Sequence, residues 1–88
     1  MPVILKKPAS KYLAAVSEPQ KTQLDNAIEK LSHDPPEGDI IPLVSFPGLY
    51  RLRVGPYRLI FDRKPDGIYI LHIGPRGQAY NKDKRGKK

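Results

Sequence analysis

Residues 49–73 read LYRLRV, GP, YRLIFDR, KPDG, IYILHI: three stretches that alternate apolar and polar residues, separated by short turn sequences. This pattern limits the fold more than any other part of the chain. Successive strand residues point to opposite faces, so alternation marks a sheet covered on one side only. Gly55-Pro56 has the composition of a two-residue hairpin loop, with the glycine supplying a positive φ and the proline the next position. Such a loop sets the pairing. Val54 then opposes Tyr57, Arg53 opposes Arg58, Leu52 opposes Leu59, Arg51 opposes Ile60 and Tyr50 opposes Phe61.

Directly opposed residues share a face. Tyr50, Leu52, Val54, Tyr57, Leu59 and Phe61 therefore form a side on which helices can pack, while Arg51, Arg53, Arg58, Ile60 and Asp62 lie on the other. The second set contains a conflict, because Arg53 against Arg58 is a like-charge pair directly across two strands. Two explanations stand open. The arginines splay into water or are neutralised by Asp39 and Asp62; or the face is preorganised for an anion whose oxygens take guanidinium forks bidentately.

The remaining segments supply the cover. Val3 to Leu5 reads as an opening strand, and Pro8 suits the first turn of a helix in which Leu13 and Val16 are apolar neighbours. Ser17, Glu18 and Pro19 predict a new helix start with Ser17 as the N-cap. Leu24, Ala27, Ile28 and Leu31 then form one apolar stripe, with Lys21, Asp25, Glu29 and Lys30 outside it. SHDPPEGD ends that helix, and Ile40 to Val44 begins the extended half. The expectation is one α+β domain over residues 1–88: an N-terminal strand, then a two-helix hairpin on one face of a mostly antiparallel sheet of four to five strands. Residues 75–88, PRGQAYNKDKRGKK, bury almost nothing and read as a loop or tail carrying Arg76 and Tyr80.

Charge matters because of where it lies. Residues 1–44 carry a net −1 and residues 45–88 a net +8, so the formal +7 of the chain belongs to the sheet-forming half and the tail. A localised positive charge favours a polyanion such as nucleic acid, since each phosphate contact releases counterions; a solubilising tail would account for part of it. The absence of cysteine excludes disulfides and thiolate metal sites and fits a reducing cytoplasm. The chain's apolar runs fall short of the roughly 18 to 20 residues a membrane helix needs, and MPVILKKPASK lacks the core of a secretory signal. Asp34, Glu37 and Asp39 lack metal-ligand spacing and read as a solvated acidic loop, so no metal or other cofactor is implied.

YRLRVGPYRLIF followed by LHIGPRGQAY resembles the RelE/ParE superfamily of type II toxin–antitoxin toxins, closer to the RelE branch, and the resemblance extends over most of the chain. It implies a toxin that cleaves messenger RNA in the ribosomal A site, held in check by an acidic antitoxin. By position it implies that Arg51 and Arg53 contact the scissile phosphate, with Arg58, Arg76 and Tyr80 completing the catalytic set and Lys82 assisting substrate binding. The N-terminal helices would supply the antitoxin-binding surface. The chemistry implied is attack by the RNA's own 2′-OH, in which the arginines hold developing negative charge and another group moves protons.

The sequence departs from that pattern at the proton-transfer positions. Arg51, Arg53 and Pro75 stand where several relatives carry lysine, glutamate or histidine, and arginine stays protonated at neutral pH. Tyr80 and His72 are the remaining candidates, and Tyr80 is also a candidate base-stacking platform. Of the two, His72 reads more readily as a half-buried strand residue. A two-residue Asp-Gly loop and a longer loop containing Pro65 would turn it to opposite faces. Tyr12, Tyr69 and Phe46 read as packing residues. Two other functions stay open: a ParE-like inhibitor of DNA gyrase, which needs no phosphate-binding cluster, and a non-catalytic or attenuated RNA-binding module of the same fold.

Overall fold

The computed structural model describes residues 1–75. Among the described residues seven elements follow in order: β1 (Val3–Leu5), α1 (Lys7–Ala15), α2 (Gln20–Leu31), β2 (Asp39–Pro42), β3 (Leu49–Val54), β4 (Tyr57–Lys64) and β5 (Gly67–Pro75). The strands form one sheet in the order β1-β5-β4-β3-β2. Its pairs are antiparallel except β1 with β5, which is parallel, with Val3, Ile4 and Leu5 beside Ile68, Tyr69 and Ile70. Among the described residues no helix is long and apolar enough to cross a membrane.

The core forms between the helices and one face of the sheet. Ala9, Leu24, Leu31, Leu52, Leu59, Phe61, Ile68, Ile70 and Ile73 are fully buried together, and Leu13, Val16, Ala27, Ile28, Tyr50, Val54 and Tyr57 pack against them. The α2 stripe and the apolar hairpin face thus meet as their periodicities predict. Tyr50 stacks on Phe61 at 5.6 Å, and Tyr12 meets Tyr57 edge-on at 6.2 Å. Large aromatic surfaces at such separations add to simple burial.

Several local expectations change. The start of α2 is served by Glu18 instead of Ser17: the Glu18 carboxylate accepts from the backbone N–H and hydroxyl of Thr22, while only the backbone carbonyl of Ser17 accepts, from Lys21 N–H. A longer acidic side chain one residue nearer the helix reaches donors that the serine does not. β2 begins at Asp39 and stops at Pro42, earlier than Val44, with one last bond to β3 from Leu43 N–H to the carbonyl of Leu49 at 2.9 Å. β5 continues through Gly74 and Pro75, so the chain leaves the sheet later than its polar composition suggested. Gly38, at φ +137°, turns the chain into β2 at a point where a side chain would strike Leu52 Cδ1.

Candidate active site

The β3–β4 hairpin adopts the pairing its loop requires. Gly55 has φ +57°, and the partners are Tyr50 with Phe61, Arg51 with Ile60, Leu52 with Leu59, Arg53 with Arg58 and Val54 with Tyr57. β2 and β5 extend this into two rows across the face opposite the helices. One row is Asp39, Arg53, Arg58 and Gly74; its neighbour is Ile41, Arg51, Ile60 and His72. Three arginines and a histidine are thereby gathered on one patch by backbone pairing alone.

The placement of His72 depends on two features of the β4–β5 hairpin. Lys64 pairs with Gly67, so the loop is Pro65-Asp66, a two-residue turn that neither sequence alternative described. Further along, the register shifts by one: Phe61 faces Ile70, but Ile60 faces His72. Leu71 is the extra residue of a β-bulge, which re-aims the side chains beyond it. The bulge sets His72 beside Ile60 in the arginine rows and returns Ile73 to the core. Its imidazole leans toward Gly74, where an added Cβ would lie 3.4 Å from Nε2. Gly74 is the partner of Arg58, so the imidazole lies in the row beside that arginine.

Asp39 decides the electrostatics of the patch. It lies directly across from Arg53, and its two carboxylate oxygens take different arginines: Oδ2 accepts from Arg53 Nε at 3.0 Å and Oδ1 from Arg51 Nη2 at 3.4 Å. Asp39 therefore belongs to a strand and an ion-pair network, not to a solvated loop. The second neutralising candidate, Asp62, pairs with Lys64 at 3.2 Å instead. Negative charge on the flank of Arg53 offsets part of its repulsion with Arg58.

Arg51 is 7% exposed and Arg53 half-exposed. Ile60 and Leu43 are also buried, although neither joins the main core. Among the described residues the Nε of Arg51 is buried without a hydrogen-bond partner. Its contact to Asp39 is longer than the roughly 2.7–2.9 Å of a strong charge-assisted bond. An unsatisfied buried donor costs about 1–3 kcal/mol, so Arg51 is held at an energetic cost. A cleft of about 340 Å³ lies between α2 and the β2–β3 edge, where Asp39 and Arg53 line it together with Ala27, Lys30 and Leu52, and Arg51 does not.

Other candidates fall elsewhere. Arg76, Tyr80 and Lys82 lie outside the described residues. Tyr12 packs against the core, and burial, with Tyr57 second, raises its phenol above the ordinary value. Tyr69 donates to Asp66 Oδ2 at 2.9 Å, which also holds its pKa up, and it pairs with Asp62, away from His72. Phe46 is half-buried in the β2–β3 connection and lies outside the core cluster.

The chain is similar to known proteins in sequence and fold. The family model described as ParE toxin of type II toxin–antitoxin system, parDE, matches residues 3–80. An archaeal RelE–RelB complex from Pyrococcus horikoshii contains a chain 31% identical, with TM-score 0.68 over 88% of this chain and 96% of that one. The RelB–RelE antitoxin–toxin complex of Methanococcus jannaschii contains one at TM-score 0.73 and 22% identity, over 90% and 96%. The RelBE2 toxin–antitoxin complex of Mycobacterium tuberculosis gives TM-score 0.70 at 19% identity, over 84% and 95%. No curated protein sequence matches the chain.

Proposed function

The chain belongs to the ParE toxin family of type II toxin–antitoxin systems, on its RelE-like side, and from that premise we propose that it is a metal-independent endoribonuclease that cuts messenger RNA on the ribosome and so stops translation. The observation carrying this reading is the sheet register that collects Arg51, Arg53, Arg58 and His72 on one face. A protein-only target would not require three guanidinium groups in adjacent rows.

In the proposed reaction the RNA 2′-OH loses its proton and its oxygen bonds to the neighbouring phosphorus. The P–O5′ bond then breaks, and the 5′ oxygen takes up a proton, leaving a 2′,3′-cyclic phosphate and a 5′-hydroxyl. Arg51, Arg53, Arg58 and Arg76 bind the phosphate and stabilise the extra negative charge of the transition state. Tyr80 and His72 are the proton-transfer candidates, with His72 held against the Arg58 row by the bulge. Lys82 extends the contact to the RNA backbone. The restraining partner is an acidic antitoxin, in keeping with the antitoxin–toxin complexes in which the similar chains are found. The site of action is the cytoplasm, where ribosomes and message are.

Cut-site mapping on translating ribosomes tests the reading. Wild type is expected to cut, and Arg51→Ala and Arg76→Ala to lose about 10²–10³-fold in rate. A message with a 2′-deoxy nucleotide at the cut position should resist. Equal cutting by all proteins would refute the assignment. The ParE family match also favours a second reading, inhibition of DNA gyrase; loss of supercoiling activity at saturating protein would support it.

A further inference from the structure

We propose that Asp39 is a built-in stand-in for the RNA phosphate: a carboxylate that occupies Arg51 and Arg53 in the free protein and is displaced when the phosphate arrives. The inference rests on the phosphate-binding reading above and adds a residue that sets how the site discriminates between states of its substrate.

Three observations carry it. First, Asp39 uses one oxygen for each arginine, at 3.4 and 3.0 Å, as two non-bridging phosphate oxygens would. Second, the pair is incomplete on the buried side. Arg51 is 7% exposed, its Nε has no partner among the described residues, and a long contact through Nη2 joins it to Asp39. A counter-ion selected only to stabilise a buried guanidinium would be expected to satisfy it more fully. Third, Asp39 has room to leave. It is half-exposed, it begins a strand of four residues that among the described residues pairs on one side only, and it borders the cleft of about 340 Å³.

The consequence is a matter of charge. A ground-state phosphodiester carries one negative charge, so replacing Asp39 exchanges one monoanion for another, a near-balanced step that saturating RNA drives to completion. The transition state of the cleavage carries two. The exchange then becomes favourable, and the arginine pair stabilises the reacting state more than the resting RNA. Interactions that strengthen only in the transition state are the ones that accelerate a reaction. Asp39 would also suppress idle binding to other polyanions, which the strong positive charge of residues 45–88 otherwise invites.

The test uses the full chain and a short single-stranded 2′-O-methyl RNA, which cannot be cleaved. Binding is measured by fluorescence anisotropy, and the arginine Nε–H signals are followed by NMR. Asp39→Asn keeps the side-chain shape and removes the charge. It is expected to bind about tenfold tighter than wild type, between the water and protein-surface limits for one unit charge. The gain should vanish when Arg53→Ala is added. Unchanged or weaker binding by Asp39→Asn, with the Arg51 and Arg53 signals still moving, would overturn the stand-in role and leave the phosphate site intact. If RNA bound without moving either signal, the phosphate site itself would fall, and this inference with it. A second measurement needs no variant: in RNA-saturated wild type the Asp39 carboxylate should separate from Arg53, and a persisting ion pair would overturn the proposal.

Discussion

At the scale of single residues, the environment of Arg51 is the hardest to explain by folding alone. Its neighbours across the strands are Ile41 and Ile60, its Nε is unsatisfied among the described residues, and its counter-ion is shared. Unmet hydrogen bonding of this kind gathers where a ligand belongs. Tyr12 shows the opposite case, a polar tip tolerated for its ring. Burial raises its phenol above 10.0, with the charge of Tyr57 second. A raised acid favours the neutral form in the fold, so this contribution is complete below pH 10.0 and is lost as pH rises through the higher folded value. Tyr12→Phe removes the dependence. Urea unfolding between about pH 9 and 12 should show a flatter alkaline decline for the variant than for wild type.

Among the elements, β5 does most to build the site. It pairs with β1 on one side and β4 on the other, and it supplies Ile68, Ile70 and Ile73 to the core. Alternation alone would place Leu71 opposite Ile60 and send His72 inward. One extra residue prevents that. Deleting Leu71 should therefore leave both sets of partners unchanged: Phe61 with Ile70, and Ile60 with His72. The deletion is expected to fold, to cost about 1–2 kcal/mol from lost half-buried leucine surface, and to keep the cross-strand NMR contact between Ile60 and His72. Loss of that contact in a folded protein would show that the bulge, and not the inserted residue alone, holds the register.

At the scale of the whole molecule, the two faces of the sheet have separate tasks. The helices seal one with apolar side chains, and the other presents cations. Part of the asymmetry of charge along the chain becomes an asymmetry across the sheet, because residues 45–75, which form β3, β4 and β5, carry five basic and two acidic residues. Binding to single-stranded RNA should weaken steeply with salt. Each phosphate contact contributes about 0.7 to the slope of log K against log salt, so Arg53→Ala should flatten the line by about that amount. An unchanged slope would mean that Arg53 reaches no phosphate. Such a result would point instead to residues 76–88.

What the sequence determined by itself was local and periodic. The alternation about Gly55-Pro56 dictated which residues share a face, and the helical stripe from Leu24 to Leu31 dictated what covers the apolar one, because both arise from fixed repeats of two and 3.6 residues. The conflict between Arg53 and Arg58 was visible for the same reason. Tertiary structure decided whatever depends on a break in period or on a distant partner. The Leu71 bulge turned His72 toward the arginines, and pairing of β2 with β3 brought Asp39 between Arg51 and Arg53. No spacing rule encodes a bulge or an ion pair closed over 14 residues, since each is settled by how whole strands fit against one another.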